Sequence, residues 1–505
     1  MTFRPGVLGR IGRSTSFSGN IAANYFGRAW EAAMSIVFVP VYIHYLGVEA
    51  YGIIGLVAVI QSFLLILDFG LTPTLTREAA RFQSGEHEAL YIKDLIRSVE
   101  WVAAAAGAVI VALLAIGASA IAQRWVQPGA LGQATIADAL IIGGTLIALR
   151  MFESIFRGTL YGLQRQMLCN LIAAAFATLR SGGAVLVLIF LQAGLRGFFL
   201  WQVAATLAGV VAMRVGVWMA LPATDRGPRF CRSALRSVGR FAGGMVLISI
   251  LSLAATQADK LLLSRMIPLE AFGYYMFAAN VALVLQLVAA PLMTAVYPRI
   301  VDFVSRKDDA GMARFFHHWA AIVAVLTAPA AALFLFHGPA LILAWSGDRA
   351  LAANAGAILS VFAIGTFLHS QCVLPYQVQL AHGWTRLGVG LNAVALAITV
   401  PALLWAAPRF GAMAGAWTWV GIASIYFFVG LPVFFSRFLG TERWRFFVRD
   451  VGVPALTAFA VMALTSPMLR SIPDSWAGRW AVVILAFASS AVAAAFVAWT
   501  VRRRA

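Results

Sequence analysis

Several ionisable residues sit inside long apolar runs, where each charge is costly and needs a reason. They are Arg28, Glu31, Asp68, Arg150, Glu153, Arg180, Arg214, Asp259 and Lys260. Arg dominates the set. A guanidinium forks onto phosphate or carboxylate oxygens bidentately, so the chemistry these residues offer is anion binding rather than bond cleavage. Arg28 and Glu31, three apart, share one helix face. They read either as a cation whose neighbouring carboxylate tunes it or as a local ion pair buried between helices. Arg150, Glu153 and Arg157 recur at spacings of three and four and also share a face. Glu153 can neutralise both arginines, and Arg157 stands near a run's end, where snorkelling to the interface would serve it.

Arg180 and Arg214 have no acid within a helical turn. Each therefore requires a carboxylate from another helix or an anionic group of a substrate, because an unpaired Arg at mid-bilayer costs about 2.5–3.5 kcal/mol on insertion scales. Asp259 and Lys260 are adjacent, point about 100° apart on a helix and need not pair with each other. They read as an ion-linked gate or as a structural salt bridge. Asp68 stands beside Gly70 and Pro73, as a coupling carboxylate or a hinge cap. His317-His318 has no Cys or acid near it in sequence and makes a poor metal site. Cys169, Cys231 and Cys372 are too far apart in sequence for a CxxC pair, so no disulfide framework, zinc site or other cofactor is expected. There is no GxxxxGK[ST] and no HExxH, so no ATPase and no zinc protease is expected.

The elements that carry these residues are membrane helices. The chain has 505 residues, 61% hydrophobic and 11% charged, against roughly 25% charged in globular domains. This is a polytopic membrane protein. The net charge of +18 is carried mostly by the tails and by loops on one side, which is a topology signal and not a nucleic-acid surface. Residues 1–19 form a basic, amphipathic interfacial segment with no cleavable signal sequence, so the first span is expected to be retained. Fourteen spans follow, roughly 20–45, 50–76, 98–122, 133–161, 168–193, 197–221, 240–266, 270–298, 314–337, 350–380, 386–407, 411–436, 450–469 and 476–500. An even number, with basic residues at both ends, puts both termini in the cytoplasm.

The basic connection 222–239 divides the chain into an N-lobe, 20–221, and a C-lobe, 240–436, with 437–505 holding a final helix pair and a basic tail. The halves repeat. Leu46-Gly47-Val48-Glu49-Ala50-Tyr51-Gly52 matches Ile267-Pro268-Leu269-Glu270-Ala271-Phe272-Gly273, and the six spans between the copies preserve orientation. Tyr25, Trp30, Tyr274, Tyr275, Trp417 and Trp419 suit interfacial belts, with sugar stacking as the functional counterpart. Gly239-x-x-x-Gly243 and Gly411-x-x-x-Gly415 read as helix-packing motifs.

Pro40-x-Tyr42, Leu46-Gly47-x-Glu49-x-Tyr51-Gly52, Leu67-Asp68-x-Gly70-Leu71 and Arg77 occur in the order found in the Wzx-type polysaccharide flippases. Ala258-Asp259-Lys260-Leu261 and Glu270-Ala271-Phe272-Gly273-Tyr274-Tyr275 extend the resemblance into the second half. The chain thus resembles a member of the multidrug/oligosaccharidyl-lipid/polysaccharide exporter superfamily. The resemblance implies an all-α transporter of about 14 transmembrane helices, with two pseudo-symmetric six-helix lobes around a central cavity and a C-terminal helix pair. It implies alternating-access movement of an undecaprenyl-diphosphate-linked oligosaccharide from the cytoplasmic to the periplasmic leaflet of the bacterial inner membrane. Arg28, Arg150, Arg180 and Arg214 would line a cationic cavity, with Glu31, Asp68, Glu153, Asp259 and Lys260 in coupling or gating. Expected partners are the lipid-linked glycan, membrane lipids, a polysaccharide polymerase and a chain-length regulator. Pro268 departs from the Gly47 pattern and implies a stiffer second turn. The alternatives are a peptidoglycan lipid-precursor flippase, a multidrug exporter of the same superfamily, or a membrane glycosyltransferase or polymerase. The arginine excess disfavours cationic drugs, and the short external loops disfavour the enzymes.

Overall fold

The computed structural model describes residues 27, 29–64, 71–233, 235, 253–254, 256–465 and 475–503. Arg28, Asp68, Gly239, Gly243 and the segment 1–19 lie outside the described residues. The described chain is helical, without a β-strand. Its helices are α1 (Ala29–Leu46), α2 (Val48–Leu64), α3 (Leu71–Gln83), α4 (Ala89–Ala120), α5 (Gln133–Gly162), α6 (Gln166–Leu191) and α7 (Gly194–Ala220). They continue as α8 (256–266), α9 (Leu269–Ala282), α10 (Val284–Arg306), α11 (Asp309–Ser346), α12 (Arg349–Ala381), α13 (Arg386–Phe410), α14 (Ala412–Phe438), α15 (Arg445–Thr465) and α16 (Trp476–Arg503).

Eleven helices among the described residues are long and apolar enough to cross a membrane. The other three expected spans are shorter in what is described. Span 50–76 is represented by α2 and α3, which flank residues outside the description; span 240–266 is described only from 253; and span 270–298 is divided at Leu283 between α9 and α10. The outward faces are apolar: Ile116 is 82% and Leu113 62% exposed on α4, and Leu485 68% exposed on α16. Water would penalise such surfaces, but lipid does not, and helices satisfy their own backbone polar groups in hydrocarbon.

The chain divides into two compact units, Met1–Leu253 and Ala254–Ala505. In the first, Leu75, Ile92, Ile96, Val99, Phe156 and Leu160 form a core between α3, α4 and α5. Here α3 lies almost on the backbone of α5. A Cβ at Gly162 would sit 2.3 Å from the Thr76 carbonyl, and one at Gly158 2.8 Å from Thr72 Cγ2. Thr76 Oγ1 donates to the Gly158 carbonyl at 3.0 Å. Gly158-x-x-x-Gly162 is thus a working small-residue stripe. The connection after α7 is pinned to α4: Asp94 accepts from the Arg226 guanidinium and the Arg229 amide, and Ser98 Oγ accepts from the Cys231 amide.

In the second unit α11 packs on α12, α15 and α16. It kinks at His337 (φ −133°, ψ 20°), two residues before Pro339, whose ring cannot continue the helical hydrogen bonding. Gly415 permits the approach of α14 to α9, since a Cβ there would lie 2.6 Å from the Tyr275 ring.

The two repeat turns differ in backbone. Gly47 adopts φ 84°, ψ 161°, a region open to glycine, whereas Pro268 holds φ −54°, ψ 144°. Glu49 accepts the amides of Gly129, Ala130 and Leu131 at 2.6, 2.8 and 3.2 Å, fastening the loop before α5. Among the described residues its counterpart Glu270 takes the Tyr274 hydroxyl at 3.1 Å and no backbone amide. In the second unit the amides of Ala350 and Leu351 are capped by Asp348 instead.

Candidate functional site

The first unit gathers charge from three helices. Residues 150, 153 and 157 of α5 align because i, i+3 and i+7 lie on one face. Arg150 Nη1 donates to Glu153 Oε2 at 2.6 Å, and Arg157 Nη2 to Glu153 Oε1 at 3.2 Å. Arg157 Nη1 reaches both carboxylate oxygens of Glu31 on α1, at 3.1 and 3.2 Å. Arg157 therefore does not snorkel: it is the clamp that joins α1 to α5, and its side chain is only 25% exposed. The role read for Glu31 as a local partner of Arg28 rests on a residue outside the description, and Glu31 is engaged by Arg157.

Arg180 on α6 is half-buried in the field of Arg150, Glu153, Glu31 and Arg157. Among the described residues no carboxylate or other acceptor lies within bonding distance of its guanidinium. The Nε of Arg150 is likewise buried without a partner among the described residues. The cluster holds three guanidinium groups against two carboxylates. It has a surplus positive charge and unsatisfied donors, which is the electrostatic condition for receiving an anion. Around it α6 is braced by Trp30 Nε1 donating to Thr178 Oγ1 at 2.8 Å and by the Tyr42 hydroxyl donating to the Ser181 carbonyl at 2.8 Å. Arg180 is thus carried on a stretch of α6 fastened to α1 at the residues on either side of it.

Arg214 joins another network. Its Nε donates to Glu100 Oε1 at 2.9 Å, Arg97 Nη1 donates to Glu100 Oε2 at 2.8 Å, and the Arg214 guanidinium lies 5.7 Å from the Trp218 ring centroid. Glu100 on α4 is the carboxylate from another helix that Arg214 requires, and its i, i+3 spacing from Arg97 puts those two on a shared face.

In the second unit Lys260 Nζ lies 3.3 Å from Asp259 Oδ2 and 3.2 Å from the Thr256 carbonyl. The adjacent pair does meet, because the flexible lysine stem curls back along the helix. Tyr275 donates its hydroxyl to Asp259, tying α8 to α9. His317 is not remote from acids: Nδ1 contacts Asp450, and Nε2 lies 2.9 Å from Glu442. Among the described residues no group of three His, Cys, Asp or Glu is arranged to hold a metal ion.

Residues 19–304 match the family described as polysaccharide biosynthesis protein. The "Putative O-antigen transporter" of Shigella flexneri is 20% identical over 403 residues, covering 79% of this chain and 93% of that protein. The lipid II flippase MurJ in an inward closed conformation aligns at a TM-score of 0.67 and 13% identity, over 93% of this chain and 97% of that one. An inward-facing multidrug resistance MATE family transporter of the MOP superfamily aligns at 0.65 and 12% identity, over 85% and 97%. The fold is therefore that of these transporters.

Proposed function

The chain belongs to the polysaccharide biosynthesis protein family, and on that premise we propose that it moves an undecaprenyl-diphosphate-linked oligosaccharide from the cytoplasmic to the periplasmic leaflet by alternating access. The observation that carries this reading is the Arg180 guanidinium, left without an acceptor among the described residues beside Arg150, Glu153, Arg157 and Glu31. A diphosphate must cross about 30 Å of hydrocarbon. Arg180 supplies a forked donor that replaces part of its lost hydration, and the Nε of Arg150, buried without a partner among the described residues, lies in the same cluster as a further donor. Glu153 and Glu31 already occupy Arg157 and part of Arg150, so the site does not bind the anion with its full cationic complement. That moderation favours release, which a carrier needs as much as capture.

The cluster pairs guanidinium groups with carboxylates, an arrangement for holding an anion, and the protein acts as a carrier. It resides in the bacterial inner membrane with both termini cytoplasmic. A polymerase and a chain-length regulator take the product onward. The second reading is a peptidoglycan lipid-precursor flippase, favoured by the fold likeness to MurJ.

The test is reconstitution of the full chain in liposomes carrying undecaprenyl-diphosphate glycan in both leaflets, with a sugar-cleaving enzyme outside. Cleavage beyond the outer-leaflet half, dependent on the protein, is the expected result. Protection of the inner half, with insertion confirmed and ion gradients applied, rejects the proposal. Cleavage only when the glycan is the peptidoglycan precursor selects the second reading.

A further inference from the structure

Away from the Arg180 cluster, the second unit contains a basic cavity of about 190 Å³. Its walls come from Arg314, His317 and His318 on α11, Arg445, Arg449 and Asp450 on α15, and Val501 near the end of α16. Three guanidinium groups and two imidazoles thus face one carboxylate. That carboxylate is committed, since Asp450 contacts His317 Nδ1 and His317 is only 3% exposed. Glu442 takes His317 Nε2 at 2.9 Å from the other side. Among the described residues Arg449 is anchored by one nitrogen, Nη2 donating to the Val501 carbonyl at 2.9 Å. Arg445 lies 3.6 Å from Glu442, and Arg314 is exposed.

Two further observations indicate what enters. Arg445–Gly452 is wound as a π-helix, a strained form that recurs where a helix is adapted to a ligand. It sets Arg445, Arg449 and Asp450 together on the cavity wall. Beside the cavity the chain exposes Trp444 (68%), Val448 (54%) and Trp499 (50%). Exposed tryptophans next to clustered arginines at the ends of membrane helices mark the depth of lipid headgroups. The cavity therefore opens where phosphate esters are concentrated.

We propose that this cavity is a phosphate-binding site, built from Arg314, Arg445 and Arg449 around the His317–Asp450 contact, that takes the phosphate of an anionic lipid headgroup or free inorganic phosphate. Arg314 and Arg445 supply the exposed contacts. Arg449 supplies a fixed one, because its anchor to Val501 leaves the rest of the fork directed at the ligand. His317, held between two acids, keeps Asp450 from closing the site by pairing with an arginine.

The experiment uses the purified full chain in a neutral detergent and reads tryptophan fluorescence against short-chain phosphatidylglycerol, short-chain phosphatidylcholine and inorganic phosphate. The wild type is expected to bind phosphatidylglycerol at least tenfold more tightly than phosphatidylcholine. The double variant Arg314→Gln/Arg445→Gln, which alters two exposed side chains and leaves the fold in place, should weaken that binding at least tenfold. Arg409→Gln, on α13, should leave it unchanged. If phosphatidylglycerol is preferred and inorganic phosphate at millimolar concentration does not displace it, the lipid is the source. If inorganic phosphate binds, with the same loss in the double variant, and the lipids are not distinguished, free phosphate is the source. Equal binding of both lipids without a phosphate response overturns the proposal, and so does full retention of binding in the double variant. Arg449→Gln, expected to weaken the same ligand at least fivefold, gives a second reading on the fixed contact.

Discussion

Arg157 and Glu31 hold α5 to α1 through a forked contact, with Nη1 3.1 and 3.2 Å from the two carboxylate oxygens. Arg157 also reaches Glu153 through Nη2, so one guanidinium serves two carboxylates. Both partners are about three-quarters buried, with side-chain exposures of 25% and 26%. Removing one partner leaves the other charge desolvated, which costs about 3 kcal/mol in partly buried pairs. Arg157→Ala and Glu31→Ala should each lower detergent-solubilised thermal stability, and the double variant should lose less than their sum. Coupling of about 1–2 kcal/mol is expected from the cycle. Additive losses would separate the two residues.

Arg180 behaves in the opposite way. It has no bonded acceptor among the described residues and stands in the field of Arg150 and Arg157. Arg180→Ala should therefore leave stability unchanged or raise it, while abolishing exposure of inner-leaflet glycan in the liposome assay. Arg180→Lys should retain part of the activity, because the charge survives but the fork does not. Arg214→Ala is the contrast: it breaks the 2.9 Å contact with Glu100, so its first effect is a stability loss of about 1 kcal/mol. A fully active Arg180→Ala protein would remove Arg180 from the site.

Glu78 on α3 gives a pH signature outside the spans. Burial alone would push its carboxyl up, but hydrogen bonds from Arg77 at 2.8 Å and His87 at 2.7 Å outweigh that and hold it below the usual carboxylate range. Arg81 adds a longer contact at 3.6 Å. A carboxyl whose folded pKa is depressed contributes stability that is complete above its unfolded pKa and disappears as pH falls through the folded value. The thermal stability gap between wild type and Glu78→Gln should be widest near neutrality and close on acidification below about pH 4. A gap that persists unchanged in acid would show that packing, and not charge, sets the difference.

Much of this was legible along the chain, for a definite reason. Apolar runs, the Glu49 and Glu270 turns and the Arg150–Glu153–Arg157 face are local patterns, and local spacing determines which residues share a helix face. Pairing between helices is not local. Nothing near Arg157 announces Glu31, and nothing near His317 announces Asp450, because these contacts depend on how the helices pack. For Asp259 and Lys260 the angle between adjacent Cα–Cβ directions leaves pairing open, and the reach of the four-carbon lysine stem decides it. Gly158 and Gly162 show the same four-residue spacing as Gly239-x-x-x-Gly243 and Gly411-x-x-x-Gly415, but spacing alone does not say which such pair meets a neighbouring backbone.

Gly162 tests the packing that sets the position of α5, and with it Arg150 and Arg157. A Cβ there would lie 2.3 Å from the Thr76 carbonyl and 2.7 Å from Ala79 Cβ. The first neighbour is backbone, so it can yield only by moving α3. Gly162→Ala should cost about 1–3 kcal/mol through overpacking, more than the small gain from a better helix former returns. Gly182→Ala is the control, since nothing lies within 4 Å of its added Cβ; that variant should be neutral or slightly stabilised. Comparing the melting temperatures of the two variants with wild type checks both signs at once. Equal behaviour of the two alanines would mean that α3 does not rest on the α5 backbone as closely as described.

Glu49 fastens the loop before α5 by accepting three backbone amides, whereas Glu270 accepts one tyrosine hydroxyl. Charge-assisted bonds to backbone amides are stronger than neutral ones, and amides stripped of their acceptor must find water. The Gly129, Ala130 and Leu131 amides lie at a partly exposed site, so water can replace some of what is lost. Glu49→Ala should therefore cost about 1–2 kcal/mol and speed amide hydrogen exchange at 129–131. Glu270→Ala should cost well under that and leave exchange at Ala350 and Leu351 unchanged, because Asp348 caps those amides. The same glutamate position in the two repeats thus does unequal work. Equal stability losses, or protected amides at 129–131 in Glu49→Ala, would contradict that assignment.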